Sequence, residues 1–111
     1  VADDVVTVAE RRRRRVGEIS AALEGLRRTL ADDARARGGR YLLFGSAARG
    51  TMSPDSDVDI LVDMPAAEED AAWRFAEDAC INAGLVPDVR PARLCSPRLR
   101  AAVEAYAETL G

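Results

Sequence analysis

Leu43-Phe44-Gly45-Ser46-Ala47-Ala48-Arg49-Gly50 and, with ten residues between Ser46 and Asp57, Asp57-Val58-Asp59-Ile60-Leu61-Val62-Asp63 decide how this chain is read. Tyr41 to Phe44 is a short apolar run that stops at Gly45, the pattern of a buried strand. Residues 50–56 contain Gly, Ser, Pro and Asp and read as loop. Asp57 to Asp63 reads as a second strand. Alternate residues of a strand share a face, roughly 6.5–7 Å apart. Asp57 and Asp59 are therefore expected on one side, and Val58, Ile60 and Val62 on the other, in the core. Two carboxylates so placed can converge on one or two divalent ions. A bland alternative is an acidic strand edge that discourages aggregation, but that role would not require Gly-Ser upstream. Gly45 allows a backbone to approach a phosphate closely, and the N–H groups after it can point at the anion. The Ser46 hydroxyl adds a donor. Arg49, one turn later, can neutralise phosphate charge or brace the loop by an ion pair.

Outward from this segment the signals are helical on both sides. Thr7 with Glu10 forms a capping box, and Gly38-Gly39 is a natural stop. Between them Val16, Ile19, Leu23, Leu26 and Leu30 recur in steps of three and four, one apolar stripe on a long amphipathic helix. Arg11 to Arg15 surround the first turns on every side, so this end is expected to project past the core. Two readings of the run stand together. One is a solvated helix laced with Glu10–Arg14 and Arg14–Glu18 pairs; the other is a patch facing a partner or RNA. Downstream, Glu68 to Ala83 reads as a helix with Trp73, Ala76, Cys80 and Ala83 inward. Leu85 to Pro91 is a third strand. Ser96-Pro97 caps a last helix whose buried face would be Leu99, Val103, Tyr106 and Leu110. The fold class is α+β: a small mixed sheet flanked by helices, led by a long N-terminal helix. The chain is expected to be one domain over residues 1–111, with a helical region at 1–38 and a core at 40–111.

Gly-Ser, ten residues, then Asp-x-Asp resembles the signature of the DNA-polymerase-β-like nucleotidyltransferase superfamily. The wider match, Gly-Ser-x-Ala-Arg-Gly through Ser-Asp-x-Asp-Ile-Leu-Val, is similar to its minimal nucleotidyltransferase branch. The resemblance covers about residues 40–110, and its specific part is confined to 43–63. It implies the polymerase-β-like fold, ATP as substrate, and Mg²⁺ or Mn²⁺ held by Asp57, Asp59 and a third carboxylate on a neighbouring strand. Asp88, in Leu85-Val86-Pro87-Asp88-Val89, is the candidate for that third position, as base or as metal ligand. Pro87 cannot donate to a ladder, so its strand must be an edge or begin there; a Pro-Asp turn is the competing reading. Asp63 and Asp55 are expected to be solvated, and Met52 and Met64 to fill gaps. Gly45, Ser46 and Arg49 are the implied nucleotide-binding residues. The branch further implies transfer of AMP onto a partner protein, a HEPN-type toxin, with this chain as its antitoxin. Two alternatives are a binding-only antitoxin and a nucleotidyltransferase acting on RNA ends.

Composition narrows the chemistry. There is no His, which removes a Ser-His-Asp triad and the usual zinc ligand, so a metal must be held by oxygen. Cys80 and Cys95 lack a metal-binding or redox spacing and are expected to be reduced, buried thiols. The net charge of −3 argues against a general nucleic-acid binder, although all 16 basic residues are Arg and five of them are consecutive. No run approaches the ~18 apolar residues of a membrane span, and none reads as a secretory leader. A cytoplasmic protein is expected.

Overall fold

The computed structural model describes residues 7–50 and 56–111, apart from the Arg49 side chain. Asp55 and Met52, both singled out in the sequence, lie outside the described residues. The first helix, α1 (Val8–Arg37), has the boundaries its caps dictate. The Thr7 hydroxyl accepts from the Glu10 N–H while the Glu10 carboxylate accepts from the Thr7 N–H, and Gly38 closes the helix in the left-handed conformation. Strand β1 (Arg40–Phe44) follows, then the short helix α2 (Gly45–Arg49) and strand β2 (Val58–Asp63). Helix α3 (Glu69–Asn82), strand β3 (Pro87–Pro91), helix α4 (Pro97–Tyr106) and strand β4 (Glu108–Leu110) complete the α+β fold.

The sheet is mixed, in the order β3-β2-β1-β4. β1 is antiparallel to both β2 and β4, and β2 is parallel to β3. The apolar runs set the two faces. Tyr41, Leu43, Val58, Ile60, Val62 and Val89 pack under α1 and α3. Leu42 and Leu61, one residue out of phase, pack with Ala92 and Val103 on the opposite face. The α1 stripe enters the first core through Ile19, Leu23, Leu26, Leu30 and Ala34, whereas Val16 is 38 % exposed. The helix therefore leaves the body about where its arginines begin. Leu30 is fully buried, so Leu30→Ala should cost about 2–5 kcal/mol, read as a lowered denaturant midpoint with unchanged slope. A loss below about 1 kcal/mol would contradict this core assignment.

Several expectations need correction. The last helix buries only Val103; Leu99 and Tyr106 are exposed. Ala107 leaves the helix in an extended conformation, and Leu110 is buried as part of β4, paired with Tyr41. Three residues are too few to show a strand period, so β4 was read as a helical continuation. Asp63 is not simply solvated: Arg40 and Arg100 donate to it at 2.7 and 3.2 Å, and both also pair with Glu104. On α1 the ion pair near the arginine run is Arg15–Glu18, with Arg15 also donating to the Gly84 carbonyl. Glu10 is taken up by the cap instead of Arg14. On α3, Ala76 and Cys80 are buried as expected, while Trp73 and Ala83 are half-buried against the core and Ala72 joins it. Cys80 and Cys95 are both free, but Cys95 is only half-buried. Burial pushes the Cys80 thiol up to about 11, which keeps it protonated and unreactive.

Candidate active site

Asp59 is two residues from Leu61, which faces α4, so its carboxylate lies on the α4 side of the sheet. In the parallel register Asp59 stands directly beside Asp88, and in the antiparallel register beside Phe44. Asp88 follows Pro87 on an edge strand that Pro87 itself opens, so the missing N–H disturbs no interior ladder. Asp88 is therefore a strand residue and not a turn residue. Asp57 sits one residue before β2, a small shift from the expected strand start, and is exposed. The Val58 N–H donates to the Val86 carbonyl at 2.8 Å, which fixes this corner against the start of β3.

The carboxylates feel one another. Burial, a hydrogen bond shared with Asp88, and the charges of Asp88 and Asp57 together raise the Asp59 carboxyl above the usual carboxylate range. Arg90 acts in the opposite sense. Its guanidinium donates from Nε and Nη2 to the two Asp88 oxygens, each at 3.3 Å. Arg90 was not singled out in the sequence. The signal was its place two residues beyond Asp88 on the same strand, and hence on the same face.

Gly45 closes the site from the other side. It follows β1, opens α2, and has φ of +68°. A Cβ built on it would lie 2.3 Å from Asp59 Oδ2. Only a glycine lets the backbone come this close to the carboxylate. Ser46 is the next residue of α2 and is half-buried; Arg49 lies at its other end. The fold thus gathers Gly45, Ser46, Asp57, Asp59 and Asp88 at one end of the sheet, where β1 ends and β2 and β3 begin. The Arg40–Asp63–Arg100 cluster marks the other end of the same face.

The donor set is all oxygen, buried in part and mutually repulsive, which suits a hard divalent cation. Among the described residues no group of three or more His, Cys, Asp or Glu side chains is placed to hold a metal ion by itself. Among the described residues no helix is long and apolar enough to cross a membrane. A family model for the nucleotidyltransferase domain matches residues 23–97, about two thirds of the chain. The match spans the second half of α1 and every candidate residue from Gly45 to Asp88. No curated protein matches the chain.

Proposed function

We propose that this chain, which belongs to the nucleotidyltransferase domain family, moves AMP from ATP onto a hydroxyl of a partner protein and acts as the antitoxin of a HEPN-type toxin. Its family uses a nucleoside triphosphate and a divalent metal. The observation that carries the transfer reading is the register pair Asp59–Asp88, with Asp57 beside it and Gly45 against it. A binding-only antitoxin has no use for three like charges at one sheet end, because they repel one another and destabilise the fold.

In this reading Gly45 and Ser46 receive the triphosphate, with backbone N–H groups and the Ser46 hydroxyl donating to phosphate oxygens. Arg49 supplies positive charge there. Asp57, Asp59 and Asp88 would hold Mg²⁺ or Mn²⁺, which when bound neutralises charge on the triphosphate and the leaving group. Asp88 accepts the proton of the acceptor hydroxyl. The freed oxygen forms a bond to the α-phosphorus. The bond from that phosphorus to the β-phosphate oxygen breaks, and pyrophosphate leaves.

In this reading the acceptor lies on another chain. Arg11 to Arg14 offer a means of docking it. They are exposed on the projecting end of α1, and among the described residues none of them makes an ion pair. An acidic partner surface would pair with them in a salt-sensitive way. The test is intact-mass analysis of the co-purified or neighbouring-gene partner after incubation with ATP and magnesium. An adenylate increment is expected, and reversing the charges of Arg11 to Arg14 should slow its appearance at least several-fold. No increment on a partner that nonetheless binds would favour the binding-only antitoxin. Label appearing in RNA in place of protein would favour transfer to RNA ends.

A further inference from the structure

We infer that Arg90 is the resident counter-ion of Asp88, and that it gives up this carboxylate only when cation and triphosphate arrive together. The inference rests on the nucleotidyl-transfer reading of the site.

The Arg90–Asp88 pair is local, like Arg15–Glu18 and Arg27–Glu24 on α1, and differs from the arginine pairs that hold the fold together. Arg37–Asp33, Arg40–Asp63 and Arg93–Glu69 are 2.7–2.8 Å contacts that join different elements or lock a helix end. Arg90 instead grips a residue two positions away on its own strand, with both contacts at 3.3 Å. It therefore ties no part of the fold to another. The Arg90 side chain is 60 % exposed, on an edge strand, so it can swing away without opening the core. Asp88 is 34 % exposed and stands next to Asp59, and among the described residues it has no other ion pair.

That geometry has a consequence for metal binding. A cation that comes alone must displace a guanidinium that already neutralises Asp88. A cation that comes with a triphosphate brings anionic oxygens, and the released planar fork of Arg90 can pair with them. Arg90 shares the sheet face of Asp88, which stands beside Asp59 in the register. It is a positioning residue in the ion-free protein and a phosphate partner in the loaded one. The arrangement makes cation and triphosphate binding mutually dependent.

The experiment is titration of Mn²⁺ into the full chain, followed by paramagnetic resonance of the free ion, with and without a non-hydrolysable ATP analogue. Arg90→Gln should bind Mn²⁺ alone several-fold more tightly than wild type. It should bind the analogue in the presence of Mn²⁺ about tenfold more weakly, equivalent to ~1.4 kcal/mol. Arg90→Lys keeps the charge but not the fork and should fall between the two. Melting temperatures should stay within a few degrees of wild type, because the pair bridges no elements. If Arg90→Gln leaves Mn²⁺ affinity unchanged or weaker while Asp59→Asn abolishes Mn²⁺ binding, this inference fails and the transfer reading stands. If wild-type protein binds no Mn²⁺ even with the analogue, both fail.

Discussion

Asp59→Asn should reduce nucleotidyl transfer by roughly a thousandfold or more, since a metal-binding carboxylate underlies several kcal/mol of transition-state charge stabilisation. It should do so without unfolding the domain. Asp59 is partly buried, shares a hydrogen bond with Asp88 and feels the negative charge of Asp57, so its carboxyl is raised in the folded protein. A raised carboxyl binds its proton more tightly when folded than when unfolded. The stability this gives is present at low pH and is lost as pH rises through the folded value. Once ionised, Asp59 therefore burdens the metal-free fold, and the isosteric amide relieves it. The expected result is a melting temperature equal to or above wild type at pH 7, with the gap closing on acidification. Divalent cation together with a non-hydrolysable ATP analogue should raise the wild-type melting temperature and leave Asp59→Asn unchanged. A variant that transfers at the wild-type rate, or one that melts well below wild type at pH 7, would remove Asp59 from the site as described.

Much of this site was legible because strand geometry is periodic. Once Asp57-Val58-Asp59 was read as a strand start, the alternation placed Asp59 opposite Val58 and Ile60 without further information, and the two core clusters fall out in that phase. Asp88 was harder. Its residue type and its neighbour Pro87 suited either a turn or an edge strand, and the choice depends on register with β2, a long-range contact that local sequence does not carry. Arg90 follows once β3 is known to be a strand, since it must then share the face of Asp88. The end of the chain misled for a related reason. Leu99, Val103, Tyr106 and Leu110 continue a helical period, but Glu108–Leu110 gains more by pairing with the free edge of β1, and Arg27 holds Glu108 there at 2.7 Å. Tertiary pairing overrode a local period. Gly45 was legible as a special residue, but its reason was only half seen. The space a Cβ would take there is held by the Asp59 carboxylate.

That neighbour makes Gly45→Ala the sharper of two similar substitutions. Gly45 opens α2 and Gly50 follows it, with nearly the same φ, +68° and +69°. Alanine at either position meets the left-handed penalty of about 1–2 kcal/mol. For a domain of this size that lowers the melting temperature by roughly 5–10 °C. The surroundings differ. Among the described residues a Cβ on Gly50 meets nothing within 4 Å, whereas one on Gly45 lies 2.3 Å from Asp59 Oδ2 and 3.2 Å from its Cγ. The fold can absorb the Gly45 clash, because the atom struck is the end of a side chain and not backbone. The site cannot, because Asp59 stands on the strand between β1 and β3, and giving way from Gly45 pushes it against Asp88 and changes the spacing of the two carboxylates. A displacement of about 1 Å at reacting groups commonly lowers rate by roughly a hundredfold. Gly45→Ala and Gly50→Ala should therefore lose similar stability, while only Gly45→Ala loses two orders of magnitude in transfer and most of its Mn²⁺ affinity. Denaturant midpoints, Mn²⁺ titration and single-turnover transfer on the two proteins separate the terms. Equal loss of transfer in both variants would mean that backbone strain in α2, and not the approach of Gly45 to Asp59, is what the reaction depends on.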